Sequence, residues 1–489
     1  MSLFKLFTDK KYFWVIFAVI VGGWLAHAIC GYFFLGFRVW DTALHVQPVL
    51  HWTLYGEYID KFLHGGVHPF VNHFRPILLL LAPFFYVWKS MLVIHIAKVI
   101  AFASCPLIFL YYGKKFGLQK LAFAIPVLWL IHDVLITAMY AGNQATALAL
   151  PFIVLAFMLA MNRSYRAMWI PLILLLFFKE NLALVWICLG MFLIVEHKQW
   201  KLGSLIVGMG LIIGFTIYFV VIPGFTEGVM QHSVDSFKPL DYIGEKMMML
   251  IRAYLAMGFF IFFRPQALLY TLPAYGIYLV GGHRVYSAFF LGAHTHDFPT
   301  TILFCAVFYL LYKTVKEDSR FKIERKDHRR YLKTCLVIMF LFCIAKNPYF
   351  RIAYESVTYP VAHQIRNTVI NIRETIKADD QIYVSGAIMD LFIKYRNIHP
   401  FALSHGHHRF PYLESESFTI IFPTHSKLSL LKSDFLNHYI AMLQKHDAKG
   451  LCDLNIYNES EENEVFVVNY NKPLPKTDQA ELMAFFDQY

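Results

Sequence analysis

Residues 168–196, MWIPLILLLFFKENLALVWICLGMFLIVE, decide how this chain is threaded. Only Lys179, Glu180 and Asn181 interrupt an otherwise apolar core to this stretch. Read as one helix, it would place the basic pairs Arg163/Arg166 and Lys198/Lys201 on opposite sides of a bilayer. It would also send the basic loop 316–333 outside, against the tendency of Lys and Arg to stay on the cytoplasmic side. Read as a hairpin of two short arms, it leaves both pairs on one side. The first arm, 168–178, rises only about 16 Å at 1.5 Å per residue. A hydrocarbon core is ~30 Å thick. Lys179-Glu180-Asn181 is therefore expected at the tip of a broken helix pair, partway into the membrane. Charge and non-helical backbone are tolerated there only beside protein or a water-filled cavity.

The rest of the chain agrees with a membrane setting. Of 489 residues, 58% are hydrophobic and 16% charged, against about 25% charged in soluble domains. That excludes a soluble globular enzyme, a disordered chain, a collagen and a disulfide-stapled secreted module. The fold class expected is an all-α polytopic membrane protein. The net charge of +11 needs no nucleic acid, because basic loops hold a membrane protein against anionic lipid. Six of the seven cysteines lie in apolar runs and no CxxC occurs, so neither a zinc site nor a disulfide framework is expected. Lys5, Lys10 and Lys11 precede an apolar run over 12–35. Ala26-His27-Ala28 faintly resembles a signal-peptidase site, but the run is long enough for a full span and reads as an uncleaved anchor.

Apolar segments fall at 12–35, 76–112, 121–140, 145–162, 168–178, 182–196, 202–224, 247–263, 267–281, 300–315 and 334–345. Pro76, Pro83, Lys89 and Pro106 make 76–112 a dipping half-helix followed by one crossing. With the N-terminus inside, the outer loops hold few cations: Arg38, Lys61, Arg75, Lys179, Lys238, Lys246 and Arg284. The expectation is about eleven crossings, a membrane domain over 1–345 and an outer domain over 346–489. In that tail QIYVS (381–385), FTIIF (418–422) and EVFVVNY (464–470) read as strands, and 388–395 and 431–445 as helices. A small α/β domain is expected.

Three polar groups stand out. The first outer loop, 36–75, carries Asp41, His45, Gln47, Glu57, His73 and Arg75. Residues 42–55 read as an interfacial amphipathic helix, with Asp41, His45 and Trp52 on one face. Lys179-Glu180-Asn181 is the second group: a buried carboxylate beside a cation can bind substrate or tune a proton transfer. The third is His294-Thr295-His296-Asp297. A His-x-His-Asp run can ligate a metal, but no third ligand is set by spacing. Arg252 and Lys98, within apolar helices, are expected to meet a lipid phosphate, to snorkel or to form an ion pair. The loop groups and Glu180 fall on the outer side of this topology.

At these residues the sequence resembles the bacterial integral-membrane family called domain of unknown function 2079. The matching stretches are Trp40-Asp41-Thr42-Ala43-Leu44 with Gln47; Asn72-His73-Phe74-Arg75-Pro76-Ile77-Leu78 with Pro83; Phe178-Lys179-Glu180-Asn181-x-Ala183-Leu184; Val221-Ile222-Pro223; and Ala293-His294-Thr295-His296. The similarity covers roughly residues 12–315, and Val384-Ser385-Gly386 fits the family's tail. The family is similar to the GT-C glycosyltransferases, which take sugars from polyprenyl-phosphate donors on the non-cytoplasmic face. The resemblance implies Asp41 as the essential carboxylate, deprotonating an acceptor hydroxyl or holding a divalent cation beside the donor phosphate. It implies Arg75 and Lys179 as phosphate ligands. The chain departs from the family at Asn181, where Asp is usual, and at Ala141-Gly142-Asn143-Gln144, where an acidic, histidine-containing stretch is usual.

The expectation is a membrane glycosyltransferase of the bacterial inner membrane. Its catalytic residues would be Asp41 and Glu180. Substrate would be held by His45, Gln47, Glu57, His73, Arg75, Lys179, Asn181, Arg252, His294, His296 and Asp297. Its partners would be a lipid-linked donor and an envelope glycan, lipid or protein acceptor, with no nucleic acid. The alternatives are a lipid or small-molecule transporter, since broken helices with charge at their tip also build carrier sites, and a non-catalytic envelope scaffold.

Overall fold

A computed structural model describes residues 9–33, 39–60, 68–71, 73–140, 145–225, 238–258, 264–281, 296–316, 334, 336–341, 360–377, 380–385, 389–392, 395, 397–401, 417–423, 433–458, 464–470 and 475–478. Fifteen helical elements are named below in chain order. These are α1 (Lys10–Phe33), α2 (Val39–Tyr55), α3 (Pro76–Val87), α4 (Leu92–Lys115), α5 (Ala124–Ile131) and α6 (Asp133–Tyr140). Next come α7 (Ala145–Met161), α8 (Tyr165–Leu175), α9 (Ala183–His197), α10 (Trp200–Phe225) and α11 (Ile243–Ala256). The last are α12 (Ala267–Val280), α13 (Asp297–Lys316), α14 (Pro360–Thr375) and α15 (Ser433–Ala448).

Five helices are long and apolar enough to cross a membrane, or six if the bent pair α5–α6 counts as one. Shorter apolar helices of 10–17 residues accompany them: α3, α7, α8 and α12. The hairpin over 168–196 is present. α8 is only 11 residues long, and Phe177 and Phe178 close its last turn with bonds three residues back. Lys179 is then fully extended, and a short 3-10 turn, Glu180–Leu182, leads into α9. The run 76–112 is divided as expected into a short helix and a long one, with α3 broken from α4 at residues 88–91. The run 121–140, read as one span, is bent by 48° at His132. Asp133 begins α6 there, and its carboxylate accepts the Val134 N–H at 2.9 Å. A side-chain acceptor at a helix start competes with continuing the preceding helix.

The chain divides into two compact units. The first comprises Met1–Ala26, Phe70–Ile77 and Ile96–Ile352. At its heart α9 and α10 approach closely. A Cβ on Gly190 would lie 2.7 Å from the Gly203 carbonyl oxygen, and one on Gly210 would lie 2.7 Å from the Trp186 Cβ. Small residues let membrane helices meet backbone to backbone, where apolar burial against lipid supplies little attraction. α13 packs on α7 and is largely enclosed. Rings of Phe109, Phe116, Trp129, Phe304 and Phe308 fill the space beside it.

The second unit comprises His27–Pro69, Leu78–His95 and Ala353–Tyr489. It holds α2, packed on α3, and a five-stranded sheet in the order β2-β1-β3-β5-β4. The strands are β1 (Ile382–Ser385), β2 (Ile398–Phe401), β3 (Phe418–Pro423), β4 (Asp453–Asn458) and β5 (Glu464–Tyr470). β1 runs parallel to β2 and β3, and β5 runs antiparallel to β3 and β4. The three strands read from the sequence are present; β2 and β4 were not anticipated. Tyr383, Phe418, Phe422, Tyr439, Leu443, Phe466 and Tyr470 build the core of this sheet.

Candidate functional site

Two of the sequence's polar groups meet in the first unit. The Glu180 carboxylate lies 2.8 Å from His73 Nδ1 through one oxygen, and accepts the Phe74 N–H at 3.2 Å through the other. The backbones also join, Ile77 N–H donating to the Phe177 carbonyl at 3.0 Å. The broken tip between α8 and α9 is thus strapped to the extended segment before α3. The side chains of His73 and Glu180 are 19% and 10% exposed, so the pair is enclosed yet reachable. A carboxylate accepting from Nδ1–H fixes the imidazole tautomer and leaves the lone pair on Nε2.

Cations surround this pair. The charges of Lys179 and Arg75 both act on His73. Arg75 is buried and Lys179 half-buried. The charges of Lys179 and of the buried Lys98 also act on Asp297. Asp297 opens α13, where its carboxylate accepts the Phe298 N–H at 2.7 Å and the Thr146 hydroxyl at 3.0 Å. A carboxylate at a helix start also complements the helix dipole. Half-buried Asn181 adds an acceptor: its carboxamide oxygen makes no hydrogen bond among the described residues. A buried acceptor without a donor is costly, so a hydroxyl or amine arriving there would be welcomed.

Other expected residues lie elsewhere. Arg252, on α11, is drawn to Asp133 at 3.5 Å, at the bend between α5 and α6. That is an ion pair, one of the alternatives expected of it. His296 stacks on Tyr278, centroids 4.3 Å apart. In the second unit His45 and Gln47 are buried on α2, and Glu57 is half-buried beyond its end. His294 and the side chain of Asp41 lie outside the described residues; the backbone of Asp41 is in the first turns of α2. Among the described residues no three or more His, Cys, Asp or Glu side chains converge as metal ligands.

Sequence reasoning missed Asp133 and Thr146. A lone acid inside the apolar run 121–140 was a usable signal for Asp133; nothing local marks Thr146 as the partner of Asp297. The buried ion pair of Glu196 with Arg264, at 2.7 Å near the far end of α9, was missed too.

A bundle of apolar helices with charged groups gathered at a helix break defines a multi-span membrane protein. A family model described as predicted membrane protein, the domain of unknown function 2079, matches residues 39–378. The chain belongs to that family. The match begins beyond α1 and runs past residue 315 through α14. No curated protein matches the chain.

Proposed function

We propose that this protein is a membrane glycosyltransferase, taking its sugar from a polyprenyl-phosphate-linked donor on the non-cytoplasmic face. The observation that carries the reading is the Glu180–His73 pair flanked by Arg75 and Lys179. Glu180 holds the imidazole by Nδ1–H, so Nε2 can take the proton of an acceptor hydroxyl. That oxygen bonds to the anomeric carbon as the bond from that carbon to the phosphate oxygen breaks. The bonding pair leaves with the phosphate, and Arg75 and Lys179 receive the charge gained there. Asn181 offers its open acceptor to a sugar hydroxyl. Asp41, the carboxylate marked by the family resemblance, is the second candidate base. The eleven crossings, the inside N-terminus, the bacterial inner membrane and the outer placement of 346–489 belong to this proposal.

The bent pair α5–α6 and the broken pair α8–α9 favour a second reading, a lipid or small-molecule transporter. One experiment separates the two. Purified protein is offered radiolabelled polyprenyl-phosphate sugars, with Asp41→Asn and Glu180→Gln beside the wild type. Transfer or hydrolysis of one donor, lost in both variants while folding is kept, is the expected result. Folded protein that turns over no donor but moves a labelled lipid between leaflets establishes the transporter instead.

A further inference from the structure

Cations from four segments gather where α7 turns into α8 and α9 turns into α10. Arg163 stands between α7 and α8, and His197 ends α9. Arg264 precedes α12, and Lys313 lies in the last turn of α13. Glu196 holds Arg264 by two bonds, from Nη2 at 2.7 Å and from Nε at 3.1 Å. The neighbouring ring of His197 is met by the Tyr165 hydroxyl, 3.1 Å from Nδ1. Its Nε2 makes no hydrogen bond among the described residues. With the hydroxyl donating, the neutral ring carries its proton on Nε2 and can donate from there. Both charges that act on this ring are positive, those of Arg163 and Lys313. Arg163 is exposed, and His197 and Lys313 are half-buried. The Arg163 guanidinium makes no hydrogen bond or ion pair among the described residues.

Helix dipoles favour a cation near a helix end, and basic loops prefer one side of a membrane. Neither effect brings two cations from different segments around one ring that can donate. That arrangement matches a phosphate, which accepts from several N–H groups at once.

The surface that leads away from these cations is apolar. On α8 and just past its end, Ile170, Ile173 and Phe177 are 67%, 46% and 41% exposed. Intervals of three and four set them in one stripe, and exposed Arg166 continues it towards Arg163. Trp200, 61% exposed, starts α10, and tryptophan favours the headgroup level of a bilayer. A cationic end on an apolar stripe is complementary to an amphiphile with a negative head.

We propose that this end of the bundle binds an anionic phospholipid, its phosphate held by Arg163, His197 and Lys313 and one acyl chain lying along Ile170, Ile173 and Phe177. Basic pockets between membrane helices suit such headgroups. A soluble phosphate would use the cations and leave the stripe unused. The site is separate from the Glu180–His73 pair, which lies at the other end of α9, and it does not rest on the transferase reading.

The test uses full-length protein in mild detergent, with phosphatidylglycerol and phosphatidylcholine of the same chains added together. Binding is read by native mass spectrometry. Phosphatidylglycerol should bind in preference. Arg163→Gln should weaken it about fivefold, the scale of one cation at a lipid surface, and Arg163→Gln with Lys313→Gln about thirtyfold. Arg163→Lys should keep most of the affinity. Arg163 is exposed, so its variant folds even if Lys313→Gln does not. Lys238, bonded to the Val280 carbonyl, lies at the opposite end of α12 from Arg264, and Lys238→Gln should change nothing. The proposal is overturned if the two lipids bind alike, or if Arg163→Gln binds phosphatidylglycerol as well as wild type. It is also overturned if inorganic phosphate at the lipid's concentration displaces the lipid, since the occupant is then a soluble anion. Loss of donor turnover leaves all of these outcomes untouched, and loss of lipid preference leaves the transferase reading standing.

Discussion

A histidine held at Nδ1 by a carboxylate has had its tautomer chosen for it, and His73 is such a residue. Asparagine at this position can still donate to Glu180, because its amide nitrogen falls near the place of Nδ1, but it carries nothing in place of Nε2. His73→Asn should therefore fold and bind donor while losing turnover by about 10²–10⁴, the usual worth of a general base. Glu180→Gln removes the charge that orients the ring and should also weaken the strap to Phe74, a hydrogen bond to a charged group worth about 1.5–3 kcal/mol. Equal turnover in His73→Asn and wild type would remove His73 from the chemistry. Lys179, Glu180 and Asn181 were legible as a site because charge inside an apolar run is visible in the sequence. That the partner of Glu180 is His73, 107 positions away, was not. Both residues were singled out separately, and only the fold joins them.

Among the elements, the hairpin over 168–196 was readable from the basic pairs that flank it and from its first arm, since an 11-residue helix cannot cross. The bend at His132 was harder. No proline or glycine marks residues 131–134, and the break comes from Asp133 capping the helix that follows it. The attraction of Asp133 for Arg252 on α11 stands beside that cap. The contact of α9 with α10 makes a different demand, which is for missing side chains. Gly190→Ala would set a methyl 2.7 Å from the Gly203 carbonyl oxygen, closer than such atoms sit. The helices must part, at a cost of about 1–3 kcal/mol typical of overpacking. A lowered unfolding temperature by fluorescence-detected size-exclusion chromatography is expected. Gly208→Ala on α10, with nothing within 4 Å of its Cβ, should leave that temperature unchanged. Similar melting of the two variants would show that the close approach is not what holds this pair.

For the whole molecule, the proposed topology makes a prediction that needs no assay of function. In a cysteine-free background, Ala167→Cys lies on the exposed first turn of α8 and Asn455→Cys on the exposed face of β4. An impermeant maleimide added to intact spheroplasts should label position 455 and spare position 167 until the membrane is opened. The opposite pattern would invert the topology and put the sheet in the cytoplasm. The membrane class, the broken hairpin and the strands β1, β3 and β5 were all available from the sequence, because hydropathy, run length and residue alternation are local properties. β2 and β4 escaped notice because IHPF carries a proline and DLNIYN carries polar residues that read as loop; pairing with β1 and β5 makes them strands. The meeting of His73 with Glu180, of Thr146 with Asp297 and of α2 with the turn Met389–Phe392 was decided by tertiary structure alone. Each is a contact between distant segments, and the residues that make it look, in their own neighbourhoods, like any polar residue in a membrane protein.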